Sequence, residues 1–271
     1  MGERSEHVPD QRAPASGTAM GSGGAAPERI GDRLLTISDL TTGYNDVPVV
    51  RNLDLYVDSG EIVALLGANG AGKTTTLLTV SALNPIISGD IELFGHSVSK
   101  HRPHYLSRHG LAHVLESRSL FFQLTVGENL KLGASGGAAD FDRALSYFPA
   151  LAKILDRRAG LLSGGEQQML AMARALATNP KLLMVDEMSL GLAPIIVERL
   201  MPVLRQVVDD TGAGVLLVEQ HVHMALEIAD RGYVLSHGDL VMQGTAAELR
   251  AEDALLRSSY LGATELAAVE D

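Results

Sequence analysis

The stretch GANGAGKTT at residues 67–75 constrains this chain more than any other. It fits G-x-x-x-x-G-K-[ST] in full. An apolar run, IVALL at residues 62–66, leads into it, and a helix-forming stretch, TTLLTVSAL at 75–83, leaves it. Strand, glycine-rich turn and helix in that order form the context in which such a loop cradles phosphate. Gly67, Gly70 and Gly72 let successive backbone N–H groups curl around an anion, and the helix behind them directs its positive end to the same point. Lys73 is placed to bridge β- and γ-phosphates, and the Thr74 hydroxyl to ligate Mg²⁺. Asn69, Ala71 and Thr75 complete the nucleotide-binding loop. A turn that merely joined strand to helix would need neither the lysine nor the threonine. ATP or GTP is implied; the loop alone does not say which class of nucleotide enzyme this is.

A second signal lies at KLLMVDE, residues 181–187: an apolar strand ending in two carboxylates. Ligands of open α/β sheets bind beyond the carboxyl ends of strands, which brings Asp186 beside the phosphate loop. Asp186 is then the Mg²⁺ carboxylate, and Glu187 the general base that orients the attacking water. Alone, such a strand could simply end in solvated charge; beside a phosphate loop the two groups converge on one site. Just upstream, LSGGEQQ spans residues 162–168. Ser163 and Glu166 are spaced as a capping box, and a helix follows from Gln167 to Ala177. Read locally this is an ordinary helix start with glycines at its N-terminus.

Around these signals the chain reads as alternating strands and helices. Strand candidates start near Leu34 and recur at 62–66, 182–185, 214–218 and 233–235, with helical stretches at 167–177 and 195–208 between them. Alternation of this kind implies an α/β fold with a mostly parallel sheet wrapped by helices. Residues 47–66 alternate and turn at Asp58-Ser59-Gly60, as in a hairpin leading into a buried strand. Residues 96–161 look helix-rich, with a second capping box at Thr125 and Glu128, and are expected to be a helical subdomain inserted into the core.

Hydrophobic residues make up 46% of the 271, enough for a sizeable core, with 4% aromatic. The formal charge of −11 argues against nucleic-acid binding, which rests on a positive surface. Cysteine is absent, which excludes disulfides and thiol chemistry. No run approaches the roughly 18–20 apolar residues of a membrane span. Residues 1–32 read as a disordered leader and 263–271 as a flexible acidic tail. His101, His104, His109 and His113 lie close together in sequence but lack the spacing and companions of a zinc site.

Taken together, GxxxxGKT, LSGGEQQ and a strand ending in Asp-Glu, in this order, resemble the ABC (ATP-binding cassette) ATPases over residues 34–262. The resemblance implies a P-loop ABC ATPase core, residues 33–262, with an N-terminal antiparallel β subdomain. It implies ATP with Mg²⁺, and a head-to-tail dimer in which Ser163, Gly164, Gly165 and Glu166 of one subunit close over ATP held by another. It places Tyr44 against the adenine. DEMSLGLAP at 186–194, VEQH at 218–221, ADRGYVL at 229–235 and SYLG at 259–262 are more narrowly similar to the shorter ATPase of branched-chain amino acid importers. That narrower likeness implies two polytopic permease subunits, a second ATPase (the same chain or a different one), and an upstream solute-binding protein. The chain would then be cytoplasmic, held at the inner face of the membrane by the permease. Importers of other small solutes share much of these phrases.

The sequence also departs from the wider family. Glu116 stands where a glutamine usually contacts Mg²⁺ and the membrane partner. Gln220 aligns with the switch histidine, and His221 is next to it; either can face the γ-phosphate. Met188 and Ala193 replace a common proline and aspartate, which leaves slow turnover or a regulatory role as an alternative. A P-loop kinase or GTPase would lack LSGGEQQ, and soluble relatives acting on nucleic acid usually join two cassettes in one chain.

Overall fold

A computed structural model describes residues 31–134 and 138–252. The tail at 263–271, the phrase at 259–262 and all but the last two residues of the leader lie outside them.

The chain opens with two long antiparallel strands, β1 (Arg33–Tyr44) and β2 (Val47–Asp58), joined through Asn45 and Asp46. Both linking residues have positive φ, 51° and 60°. A two-residue hairpin turn demands this, and Asn and Asp tolerate it better than most residues. Then come β3 (Ile62–Gly67), α1 (Lys73–Val80), β4 (Ile86–Leu93) and the short β5 (His96–Ser97). After α2 (Pro103–Arg108) and β6 (Leu111–Val114), three helices follow: α3 (Val126–Gly133), α4 (Ala138–Tyr147) and α5 (Pro149–Ala152). The chain continues through α6 (Gly164–Leu176), β7 (Leu182–Asp186), α7 (Pro194–Thr211) and β8 (Gly214–Glu219). It closes with α8 (Val222–Ile228), β9 (Arg231–Ser236), β10 (Asp239–Thr245) and α9 (Ala246–Ala251).

Two sheets result. One is antiparallel, in the order β2-β1-β4-β5; the other runs β10-β9-β3-β8-β7-β6, parallel except at the β9–β10 hairpin. Every residue of β3 is buried because both faces of the central strand are covered. Its alternation divides the core. Ile62, Ala64 and Leu66 join the helical side with Leu170 and Leu204, while Val63 and Leu65 face the antiparallel sheet and α1 through Leu35, Leu55 and Leu77.

Two expectations are corrected. Residues 96–161 are not a continuous helical insert. Leu111–Val114 pairs in parallel with β7, in register from Leu111↔Leu182 to Val114↔Val185, and is a strand of the main sheet. Only α3, α4 and α5, which follow it, form a helical block packed on α6. The turn at Asp58-Ser59-Gly60 does not close a hairpin either: β2 pairs with β1, and the chain crosses there into the other sheet.

Candidate nucleotide site

The loop between β3 and α1 is shaped by close approach. Gly72 has φ 103°, and a Cβ there would lie 2.4 Å from Val50 Cγ2. Any other residue would both strain the backbone and push into β2. Gly72 is also the N-cap of α1, with no side chain capping the helix and no acidic residue in its first turn. The first N–H groups of α1 are therefore left for an external anion.

Lys73 begins that helix 3% exposed, folded back across the loop. Its ammonium donates to the Gly67 and Ala68 carbonyls at 2.9 and 3.1 Å and pairs with Glu187 Oε1 at 3.2 Å. Thr74 donates its hydroxyl to Asp186 Oδ1 at 3.1 Å. Four residues read from the sequence, Lys73, Thr74, Asp186 and Glu187, thus form one connected cluster. The sheet order explains it: β3, β8 and β7 are adjacent and parallel, so their carboxyl ends deliver Gly67, Glu219 and Asp186 to one edge.

Asp186 is 1% exposed, and its Oδ2 has no hydrogen-bond partner. Burial raises its pKa to about 6, against the Thr74 hydrogen bond; Glu187 and Glu116 raise it further and Lys73 opposes them. A buried, half-satisfied carboxylate among like charges is poised to take a cation. Glu187 adopts φ 45°, the left-handed region, with its N–H bonded to Val218 O at 3.0 Å.

Glu116 follows β6 and is exposed, near enough to Asp186 to act on its charge. Gln220 and His221, both exposed, follow β8 at the same edge. Tyr44 ends β1 at 48% exposure, on the hairpin whose second strand packs against Gly72. Ser163, Gly164, Gly165 and Glu166 lie elsewhere. No hydrogen bond or ion pair among the described residues joins them to the loop at 67–75; Arg118, Leu192 and Ile196 surround them instead. Their capping box is formed in both directions. Ser163 Oγ accepts the Glu166 N–H at 3.3 Å and Glu166 Oε2 accepts the Ser163 N–H at 2.8 Å, which holds the Glu166 pKa below its ordinary value.

The family described as ABC transporter matches residues 50–189 of this chain. It also shares 41% identity over 84% of its length with the whole of the high-affinity branched-chain amino acid transport ATP-binding protein BraG of Pseudomonas aeruginosa. The chain belongs to the ABC transporter family. The lipopolysaccharide export system ATP-binding protein LptB of Escherichia coli K12 is 34% identical across 84% of this cassette and 97% of its own length. Among solved structures, the ATP-binding subunit of an ABC transporter superimposes with a TM-score of 0.74 at 30% identity, covering 84% of this chain and 98% of that one. The cassette is accordingly an ATP-binding, ATP-hydrolysing domain of transporter type.

Three features of the cassette had no role assigned from sequence. Glu219 is buried against the loop after Glu187, although its place inside the VEQH phrase was visible. His113 leaves the other three histidines: Ser81 Oγ meets its Nδ1 at 2.8 Å, burial lowers its pKa to about 4, and its Nε2 is unpartnered. His101 and His109 stack instead on either side of Tyr105. Arg118 bonds Gln168 at 2.8 Å and Gln167 at 3.2 Å, tying the segment after Glu116 to the start of α6. No helix among the described residues is long and apolar enough to cross a membrane.

Proposed function

We propose that this cassette is the ATP-hydrolysing subunit of an importer for branched-chain amino acids or related small solutes. The observation that carries the catalytic half is the cluster Lys73–Glu187 and Thr74–Asp186 at the carboxyl edge of the parallel sheet. The cargo rests on the 41% likeness to a branched-chain amino acid transport protein, against 34% for the export protein.

Mg²⁺ fits the residues present. Thr74 and Asp186 offer hard oxygens, and the orphaned Asp186 Oδ2 has room for a bond. No group of three His, Cys, Asp or Glu among the described residues is arranged to hold a metal. Mg²⁺ beside a nucleotide is usually held by one or two protein carboxylates or hydroxyls together with phosphates and water. When bound, Mg²⁺ supplies positive charge to the β- and γ-phosphate oxygens. Lys73 leaves its carbonyl contacts to bridge those phosphates, the loop N–H groups hold the β-phosphate, and Glu187 accepts a proton from water as it attacks the γ-phosphorus. ADP leaves with the bridging oxygen. Gln220 or His221 contacts the γ-phosphate, Tyr44 the adenine, and Glu116 senses the cation from the edge.

Ser163, Gly164, Gly165 and Glu166, exposed or half-exposed and unconnected to their own loop, complete the site of a second ATPase in a head-to-tail dimer. Leu115, Arg118 and Ser119, which flank Glu116, also line a groove of about 470 Å³ walled by Leu83, Phe121 and Leu132. Leu83, Phe121 and Leu132 are each more than half exposed, and the groove seats a segment of one of two permease subunits. A solute-binding protein acts upstream, and the permease holds the cassette at the inner membrane face.

The test is affinity capture of the tagged chain from detergent-solubilised native membranes. Two polytopic proteins and a second ATPase support the importer. A linked binding protein that takes up leucine, isoleucine or valine then supports the cargo. Recovery of soluble partners alone sinks the transport reading and leaves the ATP site intact.

A further inference from the structure

Glu219 is fully buried and forms no ion pair among the described residues. Burial raises its pKa, while two bonds from Ser189, the charge of His221 and the Gln220 backbone oppose the rise. A buried carboxylate without a cation is costly to keep unless its hydrogen bonds are specific. Both of its oxygens are used on one residue: Oε1 accepts the Ser189 N–H at 3.0 Å and Oε2 the Ser189 hydroxyl at 2.6 Å.

Ser189 is two residues beyond Glu187, whose left-handed backbone is unfavourable for a residue with a side chain. Such a conformation persists only where the surroundings over-determine it. Here the last two residues of β8 do so. Val218 O holds the Glu187 N–H at 3.0 Å, and Glu219 holds Ser189 at two points. The loop between them closes on itself through Leu190 N–H to Glu187 O at 3.1 Å. The next residues after Glu219 are Gln220 and His221, the two candidates for γ-phosphate contact.

We propose that Glu219 is a positioning residue for hydrolysis: it clamps Ser189, fixes the backbone that aims the Glu187 carboxylate, and ties that loop to Gln220 and His221. A shift of residues 220–221 toward or away from the γ-phosphate therefore moves Glu187 through a rigid two-bond link. This inference rests on the hydrolytic assignment.

The test is steady-state ATP hydrolysis by the complete assembly, with nucleotide binding measured in parallel. Glu219→Ala is expected to lower kcat at least tenfold while KM for ATP stays within twofold. Glu219→Gln can accept the Ser189 N–H through its carbonyl and donate to the hydroxyl through its amide, and should retain kcat within about threefold. Ser189→Ala, which deletes only the shorter bond, lowers kcat by a smaller factor and keeps the question answerable if alanine at 219 prevents folding. In the double variant the two losses should not multiply, since they remove one link. Wild-type turnover in Glu219→Ala, an equal loss in Glu219→Gln, or a matching rise in KM overturns the clamp. Absence of hydrolysis by the unsubstituted assembly overturns the ATPase reading itself and this inference with it.

Discussion

Among the described residues, the glycine-rich N-termini of α1 and α6 are finished in opposite ways. At α1 the cap is Gly72, with no side-chain acceptor and no acidic residue in the first turn. At α6 the cap is Ser163, which accepts the Glu166 N–H while Glu166 returns the bond. A helix end that carries its own acceptor and its own negative charge has one of its first N–H groups satisfied and its dipole partly countered before any ligand arrives. One that carries neither leaves its N–H groups and the positive end of its dipole to an anion from outside. Lys73, buried and folded onto the carbonyls of Gly67 and Ala68, strengthens that demand at α1. The difference fits the proposed division of labour, in which the α1 end takes the phosphate of its own nucleotide and the α6 end is presented to the site of a second subunit.

The sharpest way to break this contrast is Lys73→Ala. It removes the only charge that faces the loop from within α1, and ATP turnover is expected to be abolished, with nucleotide affinity falling as well. Hydrolysis near the wild-type rate would mean that the open helix end alone suffices. Glu187→Gln comes next. Loss of a general base costs about 10²–10⁴ in rate, and ATP binding should persist, so the dimer is expected to stay closed on unhydrolysed ATP. Size-exclusion chromatography with ATP checks the trapped dimer, and normal turnover by this variant removes Glu187 from its role.

Gly72→Ala probes the shape of the open end without touching a functional group. The left-handed φ and the contact with Val50 together should cost about 1–3 kcal/mol of stability, read by denaturant melts. Phosphate contact should weaken in step, because the loop must shift to make room. An alanine variant as stable as the parent would show that the loop already has slack.

Most of this contrast was legible in the sequence, because both helix ends are local. Gly72-Lys73-Thr74 and Ser163 with Glu166 declare themselves within a few residues, and the Thr125–Glu128 box formed where its spacing put it. What was hidden depends on pairing at a distance. The four residues of β6, with His113 among them and a histidine-rich polar stretch before them, carry too little pattern to be read as a strand. They become one only by lying beside β7. The crossing at Asp58-Ser59-Gly60 looked like a hairpin because turn residues say that the chain reverses, not which sheet receives it. The grip of Glu219 on Ser189 likewise needs the adjacency of β7 and β8, which alternation of strands and helices does not specify.

The smallest effect gives the finest test of what the closed end is for. Ser163→Ala and Thr125→Ala delete the same kind of bond from the same kind of box. Each should lower stability by about 0.5–2 kcal/mol, the usual cost of a lost N-cap. Acid should erode both boxes alike. Glu166 and Glu128 have pKa values held low by their boxes, so the stabilisation is complete above the ordinary carboxylate pKa and is lost as pH falls through the lowered one. Their consequences for hydrolysis should diverge. The Ser163 box uses the Glu166 N–H and not those of Gly164 and Gly165, which sit exposed or half-exposed at the start of α6 and are the groups proposed to meet a phosphate held by a second subunit. Thr125 caps α3, inside the helical block, where no nucleotide is proposed to reach. Equal losses of stability with a fall in turnover for Ser163→Ala alone would separate presentation from capping. Equal turnover in the two variants would reduce the α6 terminus to an ordinary helix start and leave the proposed dimeric site without its second half.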